Sequence, residues 1–152
     1  MQVRPLAAEE IPALARGLAA VPLMVRYGQA PEALESALAA ARARGERLLV
    51  ADEGGAIRGL AWFLPQGTLG LGGYLRLIAM LSGAEGKGAG AALLAAFEAE
   101  TAKESRHAFL LVSDFNDGAQ RFYERHGYAR VGALPGLVLP DVAEVMYWKR
   151  LR

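Results

Sequence analysis

The sequence predicts an α/β (α+β) fold: one mixed, mostly antiparallel sheet with helices on both faces. Three observations predict it. Arg47 to Ala51 (RLLVA) and Ala56 to Leu64 are apolar runs joined by Asp52-Glu53-Gly54-Gly55, a hairpin turn that sets an antiparallel pair. Tyr74 to Ser113 reads strand, glycine-rich turn, helix, strand, the βαβ unit that sets a parallel pair. Two further stretches near the N-terminus carry apolar residues at helical spacing. The 152 residues fit one domain, 1–152, long enough to bury about two thirds of its unfolded surface.

The elements follow in chain order. Gln2 to Pro5 is a short strand. Ala7 to Ala20 is a helix, with Ile11, Leu14 and Leu18 on one face, Glu9 and Glu10 in its positive first turn, and Pro12 near its start. Val21 to Ala30 has large apolar residues without a period and reads as a loop. Pro31 opens a second helix that Gly45 ends, with Leu34, Ala37, Leu38 and Ala41 facing inward. After the hairpin, Pro65 to Gly73 reads as a loop and Tyr74 to Leu81 as a third, antiparallel strand. The helix after the glycine turn runs to about Lys103, with Leu93, Leu94 and Phe97 toward the sheet. His107 to Ser113 has a continuous apolar centre, which predicts burial on both faces. Asn116 or Asp117 caps a helix that reaches His126 and ends at Gly127. Tyr128 to Gly132 and Val142 to Arg150 are the last strands, paired antiparallel across the loop Leu134 to Pro140.

Composition excludes several classes. Net charge is +1, so nothing draws the chain in bulk to nucleic acid or an anionic membrane. No apolar stretch reaches the ~20 residues of a membrane span, and MQVRPLAAEE lacks the pattern of a signal peptide, which predicts a cytoplasmic protein. Without cysteine, and with two separated histidines, no metal site is expected.

The chemistry concentrates in Ile78 to Ala91 (IAMLSGAEGKGAGA). Gly86, Gly88 and Gly90 let the backbone approach a ligand closely, and the following helix points its unpartnered N–H groups at the turn. That arrangement suits a phosphate. A P-loop is excluded, because Gly88 follows Lys87 where Ser or Thr is required and position 81 is Leu. The dinucleotide fingerprint matches at Gly86, Gly88 and Ala91, but Asp114 stands too late for its acidic residue and too few strand–helix alternations remain.

Two motifs then resemble those of the GNAT superfamily of acetyl-CoA-dependent N-acyltransferases, in an element order that matches over essentially the whole chain. Glu85, Gly88 and Gly90 resemble its [QR]-x-x-G-x-[GA] turn; Asn116, Ala119, Phe122-Tyr123-Glu124 and Gly127-Tyr128 resemble its N-x-x-A-x-x-[FL]-Y-E-x-x-G-[FY]. The resemblance implies the GNAT architecture, acetyl-CoA as co-substrate and a small-molecule or peptide amine as acceptor. It implies that the backbone of Lys87, Gly88, Ala89 and Gly90 holds the pyrophosphate. Ile78, Ala79 and Met80 would pair with the pantetheine arm, and an N–H near Met80 would bind the thioester carbonyl. Asn116 would hydrogen-bond the pantetheine, and Tyr123 would protonate the leaving thiolate. A thiolate of pKa near 8.5 and a phenol near 10 make that transfer reasonable. Arg26 and Tyr27, in the loop between the first two helices, and Tyr74 and Arg76, on one strand face, are candidate acceptor contacts; a solvated surface is the plain alternative for each. Dimers are common among relatives, but no stretch of this sequence marks an interface.

Two departures stand out. Glu85 replaces the usual Gln or Arg, and a solvated carboxylate beside a pyrophosphate costs on the order of 1 kcal/mol unless it points away. Leu111 stands where relatives that acetylate protein N-termini often carry a basic Glu, so no general base is assigned: Asp114 or a water could serve, or the amine could arrive already neutral. These departures motivate a second reading, an acyl-CoA-binding sensor or scaffold with little catalysis.

Overall fold

The computed structural model describes residues Met1–Arg152. Seven strands form one sheet: β1 (Gln2–Pro5), β2 (Arg47–Glu53), β3 (Ala56–Thr68), β4 (Gly72–Met80), β5 (His107–Ser113), β6 (Ala129–Pro135) and β7 (Ala143–Arg150). Their order is β1-β2-β3-β4-β5-β7-β6. β4 and β5 are parallel, whereas β1–β2, β2–β3, β5–β7 and β6–β7 are antiparallel. The helices are α1 (Ile11–Ala19), α2 (Pro22–Arg26), α3 (Pro31–Ala43), α4 (Ala89–Ala102) and α5 (Asp117–Arg125). The mixed, mostly antiparallel sheet is the one the sequence predicts. None of the helices is long and apolar enough to cross a membrane.

The chain forms two compact units, each drawing on parts of β3, β4 and α4. The first comprises Met1–Phe63 and Leu77–Phe97. Leu14 and Leu18 of α1 and Leu34 and Leu38 of α3 pack in one cluster with Leu48, Val50, Leu60 and Trp62 of the sheet. On the other sheet face Phe63 meets Phe97 of α4 edge-on, at 5.1 Å between ring centres. Alternation along β3 thus separates two layers: Leu60 and Trp62 face one helix pair, Ala61 and Phe63 face α4. Arg4 pins the first strand, bonding Asp52 at 2.8 Å and Glu10 at 3.1 Å. The Arg4 guanidinium holds the Asp52 carboxyl below its ordinary range.

The second unit comprises Leu64–Arg76 and Glu98–Arg152. Its buried face is built by Leu75, Ala108, Leu110, Val112, Val145 and Tyr147. Tyr147 donates to Glu124 of α5 at 2.9 Å, which fixes that helix on β7. Phe109 and Leu111 are only half-buried, so the apolar run of β5 is sealed on one face rather than two.

Three further expectations shift. Pro22 to Arg26 is a short helix, not loop, because Pro22 sits at its first position with φ already suited. β3 continues through Pro65 to Thr68, and β4 starts at Gly72. Pro65 is tolerated because the β2 ladder ends at the Arg47–Phe63 pair, so no strand asks for its missing N–H there. β6 runs on to Pro135, with a register shift between Arg130 and Gly132 that leaves Val131 exposed.

Thr101 is fully buried with its Oγ1 unpaired, and it sits against the space that Gly73 leaves open. An unpaired buried hydroxyl costs about 1–3 kcal/mol. Thr101→Val keeps the shape and removes that group, so it should leave stability unchanged or raise it by about 1 kcal/mol; a urea midpoint lowered by the mutation would contradict this.

Candidate active site

The turn between β4 and α4 lies in the first unit. Gly83, Gly86 and Gly88 have φ of 83°, 76° and 84°. A Cβ added at any of them would meet no protein atom within 4 Å, so within the protein glycine there answers to backbone conformation. Ala84 anchors the turn: it is buried, and its N–H donates to Leu81 at 3.0 Å. Glu85 to Gly88 are exposed, so the Glu85 carboxylate can stay in solvent.

The carbonyl of Gly88 accepts from the Ala92 N–H at 3.1 Å, which makes Gly88 the N-cap of α4. A glycine cap brings no side-chain oxygen, so the N–H groups of the first turn are not capped by it. The first turn of α4 also has no acidic residue, as in α1 and α2, whereas α3 carries Glu32 and α5 carries Asp117 there; at α4 this coincides with a glycine N-cap and an exposed glycine turn. The positive end of the helix dipole is therefore left for an external anion. Upstream, Ile78 and Met80 are half-buried and Ala79 is buried. The side chain of Met80 lies across Gly59, where an added Cβ would come within 2.9 Å of the Ala79 carbonyl oxygen. Gly59 thus lets β3 and the end of β4 approach closely. The registered pairs of β4 with β5 end at Leu75–Leu110, before Ile78–Met80.

In the second unit, Asn116 and Tyr123 belong to one helix. Asn116 is the N-cap of α5, and its Oδ1 accepts from the Ala119 N–H at 3.1 Å. Its Nδ2 is the end that can donate to a ligand carbonyl. Tyr123 is buried, 8% exposed, and burial raises its phenol above the ordinary value. The end of α5 holds it from two sides. Gly127, at φ 90°, closes the helix; its N–H donates to Glu124 at 3.1 Å, and the Tyr128 N–H donates to the Tyr123 carbonyl at 3.0 Å. This pair of bonds is a Schellman motif, and the apolar contact that accompanies it is the edge-on packing of the Tyr123 and Tyr128 rings at 5.7 Å. Tyr128 in turn donates to Glu98 at 3.1 Å, and Lys149 pairs with Glu98 at 3.0 Å. The spacing Tyr-x-x-x-Gly-Tyr in the second motif is therefore a geometric device that fixes one tyrosine.

The structure thus joins some predicted residues. Ile78–Met80 and Lys87–Gly90 flank one turn. Asn116 and Tyr123 share α5. Tyr74 is half-buried; burial raises its phenol above the ordinary value, the charge of Arg76 opposes the rise and that of Glu144 adds to it. Arg26 and Tyr27 end α2, Arg26 exposed and Tyr27 half-buried. Sequence reading gave no part to Glu98 or Glu144. Glu98 meets Tyr128 and Lys149 across 30 and 51 residues, a separation that no local pattern reports. No group of three or more His, Asp or Glu is placed to hold a metal ion.

Comparison with known proteins agrees with this architecture. The chain belongs to the acetyltransferase (GNAT) family, whose model matches residues 16–128. The fold is similar to ribosomal-protein-alanine N-acetyltransferase from Brucella melitensis, at 18% identity and a TM-score of 0.80, covering 99% of both chains. It is similar to yncA from Salmonella typhimurium, solved with acetyl-CoA, at 15% identity and a TM-score of 0.76, over 100% of this chain and 94% of that one. It is also similar to an aminoglycoside 6'-N-acetyltransferase complexed with coenzyme A, at 16% identity and a TM-score of 0.79, over 100% of this chain and 98% of that one. No curated protein matches the sequence.

Gly127→Ala tests the clamp on Tyr123. The nearest atom to an added Cβ, Lys149 Cε, is 3.5 Å away, so the cost is the left-handed backbone alone, about 1–2 kcal/mol. The urea midpoint should fall accordingly; an unchanged midpoint would mean that the helix end does not depend on this conformation.

Proposed function

We propose that the chain is an acetyl-CoA-dependent N-acetyltransferase that acylates a primary amine by direct attack. The observation that carries this reading is the glycine-capped, acid-free start of α4, in a chain of the GNAT family. Two structures of similar fold, solved with acetyl-CoA and with coenzyme A, support the choice of ligand. When bound, acetyl-CoA supplies an activated thioester.

The protein's part is to hold and to move a proton. N–H groups from Lys87 to Gly90 donate to the pyrophosphate oxygens, with exposed Glu85 directed to solvent. Ile78–Met80 offers strand backbone to the pantetheine, and an N–H near Met80 stabilises charge that develops on the thioester oxygen. Asn116 donates from Nδ2 while its Oδ1 caps α5. Tyr123 supplies the proton for the departing thiolate. Burial raises its pKa, which keeps the proton on the phenol as a general acid requires, and which also makes it a weaker acid toward a thiolate whose ordinary pKa is near 8.5. The absence of cysteine accords with direct attack rather than an acylated thiol.

Tyr123→Phe should lower turnover by about 10²-fold or more, as expected for loss of a general acid, with the acetyl-CoA Kd within about twofold. The sign of the pKa shift adds a second check. Because burial moves the phenol above about 10, its deprotonation should not reduce kcat between pH 7 and 10. An alkaline limb below pH 10 that disappears in Tyr123→Phe, or a turnover unchanged by the substitution, would remove Tyr123 from the role.

A further inference from the structure

The sheet of the second unit has two unlike faces. The register Tyr74–Phe109–Trp148 and Leu111–Met146 places these side chains on the same face. All five are half-buried, whereas the opposite face is sealed by residues such as Leu110, Val145 and Tyr147. A half-open surface of large apolar and aromatic side chains on a sheet is a binding surface by composition.

That surface carries one acid that is out of place. Glu144 is 7% exposed and lies across from Ser113 on one side and Leu134 on the other, in line with the apolar floor. Arg76, two residues beyond Tyr74, shares the face on β4, with β5 between it and β7. Where β4 is paired with β5, two strand spacings separate the β4 and β7 backbones by about 10 Å, and Arg76 directly follows the last registered pair, Leu75–Leu110, within reach of a ligand that also meets Glu144. Tyr74 and Arg76 on β4 and Glu144 on β7 thus share one face of this unit. Arg76 and Glu144 each have interaction partners in the resting protein, so a ligand must exchange with these.

A cation and an anion together on an apolar floor match a molecule with both charges and an apolar body. A simple amine offers nothing to Arg76, and a polyamine would meet a repelling cation beside an apolar surface. Building on the acetyltransferase reading, we infer that the acceptor is an α-amino acid with a large apolar or aromatic side chain: its ammonium is received by Glu144, its carboxylate by Arg76, and its side chain by Tyr74, Leu111 and Met146. The ammonium first releases one proton to solvent and the neutral amine attacks; the C–S bond of the thioester breaks as the amide C–N bond forms, the nitrogen releases its second proton to solvent, and the thiolate takes a proton from Tyr123, which solvent restores.

The test measures thiol release with acetyl-CoA and L-phenylalanine, L-methionine, phenethylamine or spermidine. L-phenylalanine should exceed phenethylamine in kcat/KM by at least about tenfold, the scale of a lost charge-assisted bond. Arg76→Gln, at an exposed position that tolerates substitution, should bring that ratio close to one, mainly by lowering the amino-acid rate. Glu144→Gln should lower both by about tenfold. Phenethylamine or spermidine equal to or better than L-phenylalanine, or a ratio unchanged in Arg76→Gln, would overturn the inference. Stabilisation by acetyl-CoA with no amino acid acetylated would overturn it alone, whereas no stabilisation by acetyl-CoA would overturn the acetyltransferase reading with it.

Discussion

The uncapped start of α4 is the constraint on which the account depends. Every helix begins with N–H groups that its own carbonyls cannot reach. Asn116 answers one of them with its side chain at α5, whereas α1, α2 and α3 have no side-chain cap. At α4 the N-cap is Gly88, and the first turn contains no carboxylate. The glycines at positive φ then shape a turn that could not be drawn with other residues. A helix end so arranged gives up local stability, and an anion that it binds returns it.

The second fixed element is Tyr123. A tyrosine at a helix C-terminus ordinarily has freedom of both backbone and ring. Here the chain reversal at Gly127 bonds Tyr128 back to the Tyr123 carbonyl and lays one ring against the other. Glu98 and Lys149 secure Tyr128 in turn. Burial has two effects: it orders the ring, and it holds the proton on the phenol. Both would serve the proton-donor role proposed for Tyr123.

Much of this was legible in the sequence, for physical reasons. Hydrophobic period found α1 and α3, whose inward leucines are those now buried. Glycine and proline marked the turns, and the strand–turn–helix–strand order gave the parallel pair β4–β5. Val21 to Ala30 misled because a helix of one turn and a half is too short to show a period. Pro65 misled because its place in the strand depends on where β2 stops, a property of the partner and not of the local sequence. Glu144 could not be read as distinctive, since a lone acid in AEVMYW reveals its burial only when β5 and β6 lie on either side. Asn116 had two readings, cap and ligand contact; the cap is observed at Oδ1, and the amide nitrogen carries the other as a proposal.

A thermal-shift titration with acetyl-CoA, S-acetylpantetheine and NAD shows whether the start of α4 holds the pyrophosphate, because only acetyl-CoA joins a thioester arm to that group. The account predicts stabilisation by acetyl-CoA that grows as RT ln(1 + [L]/Kd), about 2.7 kcal/mol at a hundredfold excess over Kd. S-acetylpantetheine, which has no pyrophosphate, should stabilise far less, and NAD not at all. No shift with acetyl-CoA, or an equal shift with S-acetylpantetheine, would contradict the assignment of the open helix end as the site that holds the pyrophosphate.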